Sequence, residues 1–287
     1  MIKLREIILE GRMAFESVTP TATLDTELIV CHVLGLKKID ILLNPDAEVS
    51  EDDVVILRKL FKKRVEGWPV QYLIGTEGFM GLDFEVTPSV LIPRPDTELL
   101  VEKLIELADN KKGMRILDIG TGSGAIAISL AYYLKSALVD TVDISTEATE
   151  VAKRNALNNG VADRVHFLSG DLFEPILEDV KYDIIVSNPP YIPSADIDGL
   201  QVEVAVYEPR LALDGGQDGY DFYRRIIEAS PAYLNEEGVL AFETGHDQAQ
   251  MISELMKESG KYEKLAIYED LGRIERVVIG FKKKTSK

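Results

Sequence analysis

The chain has 287 residues, 46% of them hydrophobic and 28% charged, a globular composition with room for one large or two modest domains. Its net charge of −17 sets most of the surface against a polyanion such as nucleic acid and favours a basic partner. A single cysteine, Cys31, excludes an internal disulfide and fits a reducing, cytoplasmic setting; no apolar run approaches the ~20 residues of a membrane span, and the first twelve residues carry Lys3, Arg5, Glu6, Glu10 and Arg12 where a secretory signal needs an apolar core.

Residues 1–66 carry helical periodicity and no strand signal. Leu4, Ile7, Ile8 and Gly11 share one spacing, Leu24, Leu28, Val33 and Leu34 a second, and Val54, Leu57, Leu60 and Phe61 a third. Thr23 or Asp25 is the expected cap of the second helix, and Ser50 with Asp53 resembles a capping box for a later one. The segment is a small helical domain, serving either as a packing appendage or as a partner-recognition module. Residues 67–97 change character, because Gly67, Pro69, Gly75, Gly78, Gly81, Pro88, Pro93 and Pro95 break any helix. This connector is expected to form a β-hairpin from residues 70–74 and 82–86, then to enter a helix capped by Asp96 or Thr97.

Residues 98–287 alternate between the two periods. Strands are predicted at 114–119, 138–142, 165–169, 182–187, 239–243 and 276–281, and helices at 123–134, 146–158, 222–234 and 247–258. Such alternation gives an α/β fold with a mostly parallel, doubly wound sheet. Residues 193–219 are rich in turn formers and read as a mobile loop or lid.

The strongest local signal is the first of these strands running into Gly120-Thr-Gly-Ser-Gly124 and then a helix. Glycines there permit positive φ and a close ligand. The bare pattern also fits a tight turn or a dinucleotide loop. Two carboxylates favour S-adenosylmethionine. Asp118, just before the glycines, suits a ligand with an ammonium group and would repel a pyrophosphate. Asp143, ending the next strand, can accept hydrogen bonds from both ribose hydroxyls, its plainer alternative being a helix cap. Asp171 follows the third strand, where it can hold the adenine amino group, with Leu172 covering the ring; the alternative is a surface turn. The cofactor contacts read from these residues are Asp118, Gly120, Gly122, Gly124, Asp143, Asp171 and Leu172.

Asn188-Pro-Pro-Tyr191 follows the fourth strand. Methyl transfer to a planar amide-type nitrogen needs that nitrogen aimed at the donor methyl, with acceptors for its hydrogens. Prolines lack N–H and fix φ, so the Asn188 side-chain oxygen and the Pro189 carbonyl can both serve as acceptors. Most of the acceleration then comes from positioning. Asn188, Pro189, Pro190 and Tyr191 form the expected catalytic and substrate site, with Tyr191 packing on the flat group. His32, His166 and His246 stand apart with no metal-ligand spacing, so no metal is expected. No Lys/Arg stripe interleaved with aromatics precedes the basic tail at residues 282–287.

Together these motifs resemble the peptide chain release factor glutamine N5-methyltransferases (the PrmC/HemK family). The likeness spans nearly the whole chain. It includes Gln71-Tyr-Leu-Ile-Gly75 with Phe79, Leu91-Ile-Pro-Arg-Pro-Asp-Thr-Glu98, residues 116–128, Asn188-Pro-Pro-Tyr-Ile192, Tyr207-Glu-Pro-Arg-Leu-Ala-Leu213, and Gly215-Gly-Gln-Asp-Gly219 with Phe222-Tyr-Arg224. Asn-Pro-Pro-Tyr alone is shared with DNA adenine and RNA guanine methyltransferases; the Pro-Arg-Pro and Tyr-Glu-Pro segments are more specific. The resemblance implies a seven-stranded Rossmann-like class I methyltransferase sheet with a final antiparallel strand. It also implies a helical N-terminal domain that helps dock the substrate, and cofactor contacts from Gly120, Thr121, Gly122, Ser123, Gly124, Asp143, Leu172 and Asn188. The implied reaction moves a methyl group from S-adenosyl-L-methionine, leaving S-adenosyl-L-homocysteine, to the glutamine of the Gly-Gly-Gln loop in class 1 release factors. The expected enzyme is a cytoplasmic monomer without direct nucleic-acid or membrane partners. Ribosomal-protein glutamine methylation and nucleic-acid N-methylation are the competing readings. The sequence departs from the family pattern at Asp96, where many relatives have Glu, and at Leu172, where some carry an aromatic.

Overall fold

The computed structural model describes residues 2–108 and 111–284; Met1 of the N-terminal segment and residues 285–287 of the basic tail lie outside the described residues. Contacts divide the chain into two compact units, Met1–Thr76 with Leu200–Tyr207, and Glu77–Gly199 with Glu208–Lys287. No helix among the described residues is long and apolar enough to cross a membrane.

The first unit is helical. A short strand β1 (Ile2–Lys3) leads into α1 (Leu4–Phe15), followed by α2 (Ala22–Leu34) and α3 (Lys38–Leu43). Strand β2 (Glu48–Val49) pairs antiparallel with β1, and α4 (Glu51–Val65) and α5 (Val70–Ile74) complete the set. Leu4, Ile7, Phe15, Ile29, Val30, Leu57 and Phe61 form its buried core. Gly11 lets the helices approach closely, since a Cβ there would lie 2.6 Å from Thr26 and 2.8 Å from the Phe61 ring. Ser50 caps α4 as its spacing with Asp53 predicts, accepting the Asp53 N–H. The second helix starts earlier than expected: its cap is Thr21, whose hydroxyl donates to Asp25 at 2.8 Å. Arg64 is buried here, held by Asp25 at 2.7 Å and by Glu203 of the outlying segment at 3.1 Å. Tyr207 of that segment rests its ring on Trp68 and donates its hydroxyl to the Glu66 carbonyl.

One expected strand is a helix. Val70–Ile74 forms α5, closed by Gly75 in the left-handed conformation at φ 78°. The hairpin instead joins β3 (Thr76–Phe79) to β4 (Leu82–Glu85). Helix α6 (Pro95–Ala108) then begins at the proline itself, ahead of both expected caps, because proline's fixed φ suits a first helical turn.

The second unit is the α/β part, with β5 (Arg115–Ile119), α7 (Ala125–Tyr133), β6 (Leu138–Asp143), α8 (Thr146–Asn158), β7 (Val165–Ser169), β8 (Tyr182–Ser187), α9 (Asp221–Ala229), β9 (Leu234–Glu243), α10 (Ala249–Glu258), β10 (Tyr262–Glu269) and β11 (Glu275–Lys282). They make the seven-stranded sheet of a class I methyltransferase fold in the order β10-β11-β9-β8-β5-β6-β7, with β11 antiparallel to both neighbours. Alternation sorts the strand residues. Ile116, Ile184, Val186, Val239 and Ala241 pack with α6 and α7 on one face; Leu117, Ile185, Leu240 and Phe242 pack with α9 and α10 on the other. Strand β10 escapes the periodicity because a bulge between Glu263 and Ala266, with Lys264 at φ 50°, breaks its alternation. Residues 193–219 hold two short 3-10 turns and the helical turn Val202–Ala205, and Ile192 bridges to Asp214.

Asn155 of α8 ties three segments together: its amide donates to the carbonyls of Glu85 and Ser123 at 2.9 Å each, and its oxygen accepts the Glu85 N–H at 2.7 Å. Asn155 is fully buried, so its loss strands three backbone groups. Replacing Asn155 with Ala is expected to cost about 3 kcal/mol, lowering the thermal midpoint by roughly 6–12 °C, as read by calorimetry. A midpoint within a degree or two of wild type would contradict the bridging role.

Candidate active site

The sheet grows outward from β5, with β6 and β7 on one side and β8 and β9 on the other. Ligands bind open sheets at such a switch point, beyond the carboxyl ends of the strands. A cleft lies there, lined by residues that follow β5, β6, β7 and β8 and by the connector before α6.

After β5 the chain makes a tight loop. Gly120, Gly122 and Gly124 adopt φ of 89°, 53° and 85°, and at Gly122 a Cβ would meet nothing within 4 Å, so this stretch of backbone is open. At Gly124 a Cβ would come within 2.6 Å of Ile128, so that glycine serves packing of α7. Asp143 ends β6 and lines the cleft. Its Oδ2 accepts the Gly122 N–H at 2.8 Å and its Oδ1 accepts the Ser145 N–H at 2.8 Å. Burial raises its pKa, and the N–H groups of Gly122, Ser145 and Ile144 oppose that rise. Each oxygen keeps lone pairs for a further donor. The helix that follows is capped by Ser145, which accepts the Ala148 N–H, so Asp143 is not that cap.

Asp118 and Tyr191 are not among the cleft-lining residues. Strand alternation turns Asp118 toward α7, where it is completely buried. Thr141 donates to its Oδ2 at 3.0 Å, and the Thr141 hydroxyl meets that of Thr121 at 2.7 Å, so Asp118 braces the glycine loop from behind. Burial pushes its pKa up to about 8. The Tyr191 ring packs into the apolar cluster on the α9 side, and burial pushes its hydroxyl up to about 12. Its backbone is gripped instead: the carbonyl accepts Gln248 Nε2 at 3.0 Å, and a Cβ on Gly215 would lie 2.7 Å from the Tyr191 Cα. The Gly215-Gly-Gln-Asp-Gly219 motif is thus a close-packing device for the chain after the prolines.

Asn188, Pro189 and Pro190 do line the cleft, as do Gly120, Thr121, Gly122, Ser123, Asp171 and Leu172. The Asn188 Nδ2 points to Thr97 Oγ1 at 3.4 Å. Asp171 is ion-paired with Arg225, and Leu172 is held at φ 50°. Arg94, Thr97 and Phe222 complete walls that residue patterns alone did not assign. Arg94 binds Glu208 at 2.5 Å, joining the Pro-Arg-Pro and Tyr-Glu-Pro segments.

Residues 6–75 match the PrmC N-terminal domain and residues 95–208 the methyltransferase small domain. A release factor glutamine methyltransferase of Geobacter sulfurreducens is 45% identical over 265 residues, 92% of this chain and 91% of that protein. One from Moorella thermoacetica is 41% identical over 260 residues, 91% of each. The chain belongs to the release factor glutamine methyltransferase family. A solved methyltransferase from Pyrococcus furiosus is 22% identical with a TM-score of 0.51, covering 71% of this chain and 90% of its own; it bears on the fold alone.

The methyltransferase is S-adenosylmethionine-dependent, and its cleft residues fit that group. The open backbone at Gly122 and the doubly anchored Asp143 suit a ribose diol, and the apolar Leu172 wall suits an adenine face. Each charge-assisted bond contributes about 1.5–3 kcal/mol, so Asp143→Ala is expected to weaken S-adenosylhomocysteine binding by about 100-fold or more in calorimetric titration. Affinity within threefold of wild type would remove Asp143 from the cofactor set.

Proposed function

We propose that the cleft methylates the side-chain amide nitrogen (N5) of the glutamine in the Gly-Gly-Gln motif of class 1 peptide chain release factors. The observation that carries this reading is Asn188 with its two prolines on the cleft wall, in the same cleft as Asp143. Bound S-adenosyl-L-methionine supplies an electrophilic methyl group. The residues of the chain do the aiming. With Nδ2 of Asn188 turned to Thr97, its Oδ1 is free to accept one N–H of the glutamine amide. The Pro189 carbonyl accepts the other, and neither proline nitrogen carries a hydrogen to compete. Two acceptors fix the plane of the amide and turn one face of its nitrogen, where the lone pair lies, toward the donor methyl group. No base is needed beforehand, because the nitrogen becomes acidic once it bears the methyl group and its proton passes to water.

The same reading makes the enzyme a cytoplasmic monomer that acts on protein directly. Its net charge of −17 supports a protein substrate over RNA or DNA. The test offers labelled S-adenosylmethionine with purified release factor, ribosomal protein or nucleic acid, and locates the label by mass spectrometry. Label is expected on the Gly-Gly-Gln glutamine; label confined to ribosomal protein or to nucleic acid overturns the assignment. In the same assay Asn188→Ala should still bind cofactor and lose about 100-fold or more in kcat, the scale of losing one oriented polar group. Unchanged transfer would sink the role of Asn188.

A further inference from the structure

Glu243 ends β9 on the row Val239, Ala241, Glu243, the same sheet face as Ile184, Val186 and Asn188 of the neighbouring strand. Since Ser187 pairs with Phe242, the next step of the ladder sets Asn188 beside Glu243. Glu243 is 3% exposed, just behind the cleft wall. Thr97 and Asn188 lie beside its carboxyl group and favour its charged form, whereas its Oε2 has no hydrogen-bond partner among the described residues. The ionisable groups around it are Asp96 on α6, Arg276 on β11, Tyr191 after β8 and Tyr223 on α9. Arg276 is shared between Asp96 at 2.9 Å and Asp270 at 3.2 Å. A carboxyl group buried on such terms is costly, and packing alone would be better served by an apolar side chain.

We propose that Glu243 is a positioning residue that fixes which way the Asn188 amide faces. The inference rests on the reading of Asn188 given above. An asparagine amide has nearly the same shape in its two flipped orientations, so packing cannot choose between them. Only one of them presents oxygen to the N–H groups of the substrate; the other presents NH2 to NH2. A carboxylate accepts hydrogen bonds and donates none. Placed against Asn188, it admits only the NH2 end and leaves Oδ1 toward the cleft. A protonated carboxyl or a glutamine can donate as well as accept, and so admits both orientations.

The sign of the pH effect follows. Burial raises the Glu243 pKa to about 7, so lowering the pH through that region converts the carboxylate to the form that no longer dictates the flip, and kcat falls on the acid side. Glu243→Gln keeps the size of the side chain. It is expected to reduce kcat about tenfold, to leave S-adenosylhomocysteine affinity and the KM for cofactor within about twofold, and to abolish the acid limb near pH 7. A merely structural role would move the melting temperature and the cofactor affinity instead. Wild-type protein runs beside it with release factor as substrate. If wild type does not label the glutamine, the functional reading fails. If it does, and E243Q matches its kcat and keeps the acid limb, the positioning role alone is overturned. Should E243Q not fold, the wild-type profile decides: a kcat flat between about pH 6 and 8 overturns the proposal.

Discussion

A strand that ends in two prolines offers carbonyl oxygens to the space beyond it and no N–H groups. That asymmetry at Asn188-Pro189-Pro190 is what the surrounding structure serves. Strand β8 lies between β5 and β9 in the sheet, so the prolines emerge at its centre, directly beside the glycine loop. A Cβ on Gly120 would come within 3.9 Å of the Asn188 carbonyl, which shows how near the two motifs run. On the far side, Gln248 and the Gly215 turn hold the backbone of Tyr191. Acceptors whose directions are set by covalent geometry and by packing need not reorganise when a substrate amide arrives.

The carboxyl groups at the strand ends do different work although each is shifted in the same direction. Asp143 and Glu243 end their strands and Asp118 lies one residue before the end of its own, and burial raises the pKa of all three. Asp143 is the one that reaches the cleft, with two backbone N–H groups supporting it. Asp118 acts through Thr141 on the loop, and Glu243 acts through Asn188 on the acceptor pair. The ladder sets all three on one sheet face, with Asp118 level with Thr141 and Ala241, so Asp143 and Glu243 lie a two-residue step further along and the segments beside them decide which one lines the cleft.

Much of this was legible in the sequence. Strand, glycine loop, Asp143 and Asn188-Pro-Pro all declare themselves in local patterns, and the alternation of strands and helices orders them. The misses share a cause, which is that local pattern carries no neighbour. Val-Gln-Tyr-Leu-Ile reads as a strand from its branched and aromatic residues, yet Gly75 closes it as a helix and its side chains join the helical core. Tyr191 follows the prolines and looks exposed to substrate, but the turn after them delivers its ring to the opposite apolar cluster. Glu243 ends an apolar strand just as Asp143 does; its partnership with Asn188 appears only when β8 and β9 are placed in register.

The central claim concerns two oxygen atoms and one nitrogen. Its most direct measurement is a crystal structure of the enzyme with S-adenosylhomocysteine and a release factor carrying its Gly-Gly-Gln loop. The glutamine side-chain nitrogen is expected about 3 Å from both Asn188 Oδ1 and the Pro189 carbonyl oxygen, with its free face toward the cofactor sulfur. Asn188 and Pro189 oxygens turned away from the cleft, or a glutamine held by other groups, would contradict it.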